Sequence, residues 1–223
     1  MNWLDRFQLF LFDFDGLLVN TEHLHYQAYL KTLAKWGYCV KWSFETFCSL
    51  AHLNATALKK AIYEQYPLLD SDWGSIYAEK TKNYLELLRK GSVEFMPGVE
   101  RLLKSLEKKQ LRRCVVTNSP LQQIEQIRSL LPVLQSIPYW VTREQYSQPK
   151  PNPECYLKAI QLYGQPQDRI IGFEDSVRGL QALRQTPATA VLICSSQHPL
   201  LQAGLELGCY HYESFDLIDT ELS

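Results

Sequence analysis

Four short clusters of the 223-residue sequence carry side chains that could do chemistry together. The first is Asp13-Phe14-Asp15-Gly16, at the end of an apolar run. Two carboxylates so close repel one another, and a cation beside them relieves the repulsion. Their hard oxygens suit Mg²⁺. The second is Thr117-Asn118-Ser119-Pro120, where hydroxyls and backbone N–H groups at the mouth of a helix could cradle a phosphate. The third is Pro149-Lys150-Pro151-Asn152-Pro153-Glu154, three prolines stiffening a loop around one lysine, a counter-charge for a dianion. The fourth is Gly172-Phe173-Glu174-Asp175-Ser176, whose adjacent acids could complete an oxygen cage for a metal.

Each cluster alone has an ordinary explanation. Asp and Gly are common loop residues after a strand. Ser119 reads equally as a helix N-cap with Pro120 at the first helical position. Lys150 could be a solvated lysine in a Pro-rich turn, and Asp175 or Ser176 could cap the helix carrying Val177, Leu180 and Leu183. Together they hold four carboxylates, one lysine and a hydroxyl cradle, which suits a Mg²⁺-bound phosphate monoester.

The elements that must position these groups follow from the apolar pattern. Gln8–Asp13, Arg113–Thr117, Arg169–Phe173 and Ala190–Cys194 are continuous apolar runs, as expected of parallel strands covered on both faces. Tyr139–Thr142 is a shorter candidate, and the sheet is expected to finish near Cys209–Tyr212, before a short acidic tail. Alternation along a strand would set Asp13 and Asp15 on one side of its carboxyl end, where open α/β sheets bind ligands. Helical spacing joins Val99, Leu102, Leu103 and Leu106; Ile124, Ile127 and Leu131; and Tyr156, Ala159, Ile160 and Tyr163. Strand–helix alternation predicts a doubly wound parallel sheet, an α/β fold.

Residues 20–91 break that alternation. They contain helical stripes (Tyr26, Tyr29, Leu30, Leu33; then Trp73, Ile76, Tyr77, Tyr84, Leu87, Leu88) and no good strand. They read as an inserted α-helical subdomain, with residues 1–19 and 92–223 forming the α/β core and Gly91-Ser92 and Met96-Pro97-Gly98 marking the return. Trp36, Trp42 and Trp73 are assigned to the core of the insert.

Composition narrows the function classes. Lys and Arg total 23 against 24 Asp and Glu, a net charge of −1, which argues against a polybasic nucleic-acid or membrane-surface protein. The N-terminal apolar run is interrupted by Asp13 and Asp15, far short of the ~20 residues a span needs, and lacks the basic start of a secretory signal. The six cysteines are scattered, which favours reduced thiols and a cytoplasmic location. A monomer is expected.

The four clusters, in order and spacing over nearly the whole chain, resemble the four motifs of the haloacid dehalogenase superfamily. The helical insert, opened by Asn20-Thr21-Glu22 and His25, resembles the cap of its β-phosphoglucomutase-like and phosphoglycolate-phosphatase-like branch. The resemblance implies that Asp13 is the nucleophile that takes the phosphoryl group. Asp15 would protonate the leaving alkoxide, later deprotonate water, and offer its backbone carbonyl to the metal. It further implies that Thr117 and Asn118 contact the phosphoryl oxygens and that Lys150 neutralises charge between Asp13 and the phosphoryl group. Asp13, Asp15, Asp175 and Glu174, the last directly or through water, would hold Mg²⁺. Dehalogenating relatives lack the second aspartate, so Asp15 favours phosphoryl chemistry on a small phosphorylated metabolite, with the cap closing to exclude water.

Two other functions are compatible with the same motifs. A sugar-phosphate mutase needs a fork for a second phosphate. Where the β-phosphoglucomutases carry Gly and Arg, this chain reads Ala51-His52-Leu53-Asn54-Ala55-Thr56, which disfavours that reading. A non-catalytic phospho-ligand binder is disfavoured because Asp13, Asp15, Lys150 and Asp175 are all present. Within the insert, Lys80 lies on an apolar stripe between Tyr77 and Tyr84. Either it snorkels, with its ammonium in water, or it contacts substrate; His25 is likewise a substrate contact or a packing residue.

Overall fold

The computed structural model describes residues 2–53, 56–66, 73–91, 93–218 and 222, in two compact units, Met1–Asn20 with Glu94–Ser223, and Thr21–Val93. Asn54, Ala55, Ser92 and most of the acidic tail lie outside the described residues.

In the first unit, strand β1 (Leu9–Phe12) is buried at all four positions. Both faces are covered, so its side chains are apolar throughout and do not alternate with polar ones. It is flanked by β2 (Arg112–Val116) and β4 (Ile170–Glu174), with β3 (Tyr139–Val141), β5 (Thr189–Ile193) and β6 (Tyr210–Tyr212) completing a six-stranded sheet of order β3-β2-β1-β4-β5-β6. Every pairing is parallel. The α/β, doubly wound expectation is therefore borne out. The order reverses beside β1, and ligands of such sheets bind at the carboxyl ends near that reversal. Phe12 pairs with Val115 on one side and Phe173 on the other. One residue further on, Asp13 is thus level with Val116 and Glu174. The Phe12 and Phe173 rings stack 5.2 Å apart, which fixes this register.

Helices α5 (Val99–Lys108), α6 (Leu121–Leu130), α7 (Glu154–Tyr163), α8 (Val177–Leu183) and α9 (Leu201–Leu205) connect the strands. On α5 the expected stripe Val99, Leu102, Leu103 and Leu106 is buried. Ser119, read above as an N-cap, does not cap α6. That helix starts one residue later, after Pro120, and the Leu121 N–H donates to the Glu144 carboxylate at 3.0 Å. A charged acceptor at the helix N-terminus replaces the serine hydroxyl. Ser176, by contrast, does cap α8, accepting from the Gly179 N–H at 3.2 Å.

The second unit contains α1 (Glu22–Lys35), α2 (Phe44–Leu53), α3 (Ala57–Gln65) and α4 (Trp73–Lys90). Leu33, Val40, Phe47, Cys48, Leu58, Ile62 and Ile76 form its core, with Trp42 and Trp73 packed against them. Trp36 is 37% exposed and Tyr77 51%, so neither belongs to that core. Trp36 falls at the C-cap of α1, where the stripe has run out, and the buried face of α4 is instead Ile76, Lys80, Asn83, Tyr84 and Leu88. Asn83 donates to Thr32 Oγ1 at 2.9 Å, a buried polar link between α1 and α4. No helix among the described residues is long and apolar enough to cross a membrane.

Candidate active site

Asp13 follows β1 directly, and its N–H donates to the Phe173 carbonyl at 3.0 Å. The backbone then turns. Gly16 takes a left-handed φ of 80°, which a side chain would strain, and the Phe14 carbonyl accepts from Leu18 and Val19 at 2.9 and 3.2 Å. Asp15 therefore lies in a turn rather than on the strand. Strand alternation does not set its direction; its carboxylate accepts from Ser119 Oγ at 2.5 Å and Gln123 Nε2 at 3.1 Å, beyond the end of β2.

Lys150 reaches the site from the loop before α7. The Glu154 carboxylate holds that loop by accepting the Ser147 and Gln148 N–H groups at 2.8 and 2.7 Å. The Lys150 N–H donates to Asn118 Oδ1 at 3.3 Å, and Gln185 donates to the Pro151 carbonyl at 3.1 Å. The Lys150–Pro151 peptide bond is cis. The ammonium, on a residue only 2% exposed, donates to Asp13 Oδ1 at 2.5 Å, Glu174 Oε1 at 2.7 Å and the Val116 carbonyl at 2.8 Å, with the Tyr156 hydroxyl at 3.1 Å. Burial alone would strip the charge from this lysine, but the Asp13 and Glu174 carboxylates outweigh it and hold the group well above the ordinary lysine range. Burial lifts the Asp13 carboxyl above the usual carboxylate range; Lys150 opposes the shift and Glu174 adds to it.

Carboxylate oxygens of Asp13, Glu174 and Asp175 all lie within 4.8 Å of one another. Such a buried, oxygen-only set fits a hard divalent cation. Glu174 is 1% exposed and accepts from Lys150 and the Tyr156 hydroxyl on the same oxygen. Gly179 lies against its carboxyl group so closely that a Cβ there would collide with it. Thr117, 1% exposed, donates its N–H to the Val141 carbonyl at 3.0 Å, and its Oγ1 accepts from the Ser119 N–H at 2.9 Å. Tyr146 OH lies 2.6 Å from Asn118 Oδ1 and 2.8 Å from the Thr117 carbonyl, tying down this loop. Burial pushes the nearby Cys155 thiol up to about 11, so it offers no thiolate nucleophile at neutral pH.

The two insert residues singled out from the sequence meet each other. Lys80 is 6% exposed, so its ammonium does not snorkel into water. It donates to His25 Nδ1 at 2.7 Å and sits 5.1 Å from the ring centres of Tyr29 and Tyr84. His25 stacks on Tyr84 with ring centres 4.1 Å apart. His52 bonds to Glu22, which also accepts from Cys48 at 3.5 Å.

Sequence reading overlooked Tyr156, Tyr146, Gln123 and Gly179. Tyr156 falls on the apolar stripe of α7, yet a buried tyrosine brings a hydroxyl that needs a partner. Gln123, beside Ile124 on α6, carried the same signal: a polar group on a buried face.

Comparison with known proteins agrees with this geometry. The family model described as haloacid dehalogenase-like hydrolase matches residues 10–193. Protein CbbY of Rhodobacter capsulatus is 29% identical over 190 residues, covering 82% of this chain and 83% of its own. The protein named probable pseudouridine-5′-phosphatase of Drosophila melanogaster is 29% identical, covering 82% and 80%. The crystal structure of CbbY from Rhodobacter sphaeroides in complex with phosphate superposes with a TM-score of 0.75 at 22% identity, over 94% of this chain and 95% of that one. A match across most of the length, with the motif residues gathered at the carboxyl ends of the strands, means that the chain belongs to the haloacid dehalogenase-like hydrolase family.

Proposed function

We propose that this hydrolase is a Mg²⁺-dependent phosphatase of a small phosphorylated metabolite, working through a phosphorylated Asp13. The chain is a phosphoric monoester hydrolase by its family and by relatives named as phosphatases. The observation that carries the finer reading is the Lys150 ammonium seated between Asp13 and Glu174 at 2.5 and 2.7 Å, buried, at the reversal of strand order.

Phosphoryl transfer is mostly positioning and neutralisation of charge on the transferred group's oxygens. Asp13, Asp175 and the Asp15 carbonyl would hold Mg²⁺, with Glu174, already committed to Lys150 and Tyr156, contributing through water. The ion supplies positive charge that lets an anionic nucleophile approach an anionic ester. Thr117 and Asn118 orient the phosphoryl oxygens, and Lys150 keeps Asp13 aligned while balancing its charge. A free Asp13 oxygen attacks phosphorus. The breaking P–O bond leaves its electron pair on the ester oxygen, which takes a proton from Asp15. Asp15 then removes a proton from water, whose oxygen attacks phosphorus and frees Asp13 and inorganic phosphate.

His25 and Lys80 are proposed as the insert's contribution to substrate recognition. The near-neutral charge and the six scattered cysteines support a cytoplasmic enzyme without nucleic-acid or membrane partners, taken as a monomer. The test is release of phosphate from p-nitrophenyl phosphate and a panel of sugar and nucleotide phosphates, with Mg²⁺ or EDTA. EDTA-sensitive release is expected; none from any ester overturns the reading.

A further inference from the structure

We propose that Ser119 and Gln123 are positioning residues that orient the Asp15 carboxyl group for proton transfer to the departing ester oxygen. The inference rests on the reading above that Asp15 is the general acid.

Asp15 occupies a turn and is half-buried, so its backbone alone leaves the carboxyl plane free to rotate. The observed contacts remove that freedom. Ser119 Oγ donates to Oδ2 at 2.5 Å, and Gln123 Nε2 donates to Oδ1 at 3.1 Å while lying 3.2 Å from Ser119 Oγ. The three groups close a triangle. Turning the carboxyl group in either direction breaks both bonds at once.

Both donors come from the start of α6 and neither is needed there for the helix. Glu144 satisfies the Leu121 N–H, so the Ser119 hydroxyl is released from capping. Gln123 is 7% exposed in the first turn of α6, where an apolar side chain would pack without needing a partner. The Ser119 N–H also donates to Thr117 Oγ1 at 2.9 Å, so one residue links the proposed acid to the proposed phosphoryl contact. The separation between proton donor and phosphorus is thereby held by one short segment, which is what alignment of a near-attack geometry requires.

A positioning role and a merely structural one differ in how they depend on the leaving group. The proton matters most when the departing oxygen is a poor leaving group. Phenyl phosphate and p-nitrophenyl phosphate present the same phosphoryl group on poorer and better leaving groups. Their kcat/KM values in Mg²⁺ report the steps up to formation of phospho-Asp13.

In the control Asp15→Asn, the loss should be much larger with phenyl phosphate. Ser119→Ala and Gln123→Met should shift the ratio the same way, each losing about ten-fold more on phenyl phosphate than on p-nitrophenyl phosphate, less than the roughly 10²–10⁴-fold of general-acid catalysis because the acid itself is kept and only its alignment is lost. Ser119→Thr, which keeps the hydroxyl, should restore the ratio. Should Gln123→Met not fold by circular dichroism, the serine pair alone decides. Equal losses on both esters, or no loss, while Asp15→Asn discriminates, overturn the proposal and leave the phosphatase reading standing. A control that does not discriminate removes the acid role of Asp15, and the clamp with it. No phosphate release by the wild type removes the phosphatase reading itself.

Discussion

Each unit of the chain buries a lysine, and the two are stabilised by different means. Lys150, 2% exposed, is held by two carboxylates at 2.5 and 2.7 Å and by a backbone carbonyl. Lys80, 6% exposed, donates to an imidazole and lies over tyrosine rings 5.1 and 5.7 Å away. The first arrangement is a set of full charges that must remain matched, because removing one leaves others buried and uncompensated. The second draws on weaker ring quadrupoles and a single imidazole nitrogen rather than on opposite charges. Lys150 is also placed by main chain, through a loop fastened at Ser147, Gln148 and Pro151. Lys80 is placed by packing of helices α1 and α4.

The largest effect should come from Lys150→Met. Asp13 and Glu174 would then face each other without a cation, costing about 3–5 kcal/mol of stability. Phosphatase activity should fall by about 10³ or more, since neutralisation of charge at the phosphoryl group is lost with alignment of the nucleophile. Urea unfolding and phosphate release check the two parts. A variant as stable as the wild type would show that the carboxylate pair does not depend on this ammonium.

A smaller loss is expected from Gly179→Ala. The new Cβ would meet the Glu174 carboxyl group in a fully packed place, and overpacking of this kind costs about 1–3 kcal/mol. Displacing Glu174 disturbs Lys150 and the acidic cluster together, so the Mg²⁺ concentration needed for half-maximal activity should rise. If stability and Mg²⁺ dependence are both unchanged, Glu174 is free to move and the rigid view of this site fails.

Lys80→Met should cost less than Lys150→Met, about 1–2 kcal/mol, from the lost hydrogen bond and ring contacts. Urea midpoints of the two variants, measured together, test the comparison directly. Equal costs would mean that the insert holds its lysine by charge as strongly as the sheet does.

The same contrast explains what could be read from the sequence. Asp13, Thr117 and Glu174 sit at or just past strand ends, and parallel register carries strand ends to one edge of the sheet. An apolar run followed by a polar cluster is therefore enough to place them. Lys150 was legible because prolines restrict its loop and no other cation lies in it. Asp15 was legible by type but not by direction, since strand pairing stops at Phe12 and the turn at Gly16 redirects it. Ser119 looked like a cap because nothing local reveals that Glu144, 25 positions further on, takes over that task. In the insert, the periodicity of α4 identified its buried face only partly. Lys80 lies on that face by helical spacing, but whether a lysine there reaches water depends on what α1 brings opposite it. That information is spread over Tyr29 and His25, about 50 residues away, with no pairing rule to connect them.

The smallest effect distinguishes the two units by pH. Burial alone would raise the Glu22 carboxyl group, but its bonds to His52 and Cys48 hold it below the usual glutamate range. A carboxyl group whose folded value is depressed stabilises the fold fully above the unfolded value of about 4.3. That contribution fades as pH falls through the lower folded value, because the unfolded chain takes up the proton first. Glu22→Gln keeps the shape and removes the charge. The wild type should exceed this variant by about 1 kcal/mol at pH 7, the scale of one charge-assisted hydrogen bond that is partly open to water. The gap should shrink as pH falls below the unfolded value and through the lower folded one, where Glu22 is itself protonated. Urea midpoints for both proteins across that range give the answer. A gap independent of pH would mean that Glu22 stabilises the insert by shape alone, and that its bonds to His52 and Cys48, unlike the carboxylate–ammonium contacts at the strand ends, do not act through charge.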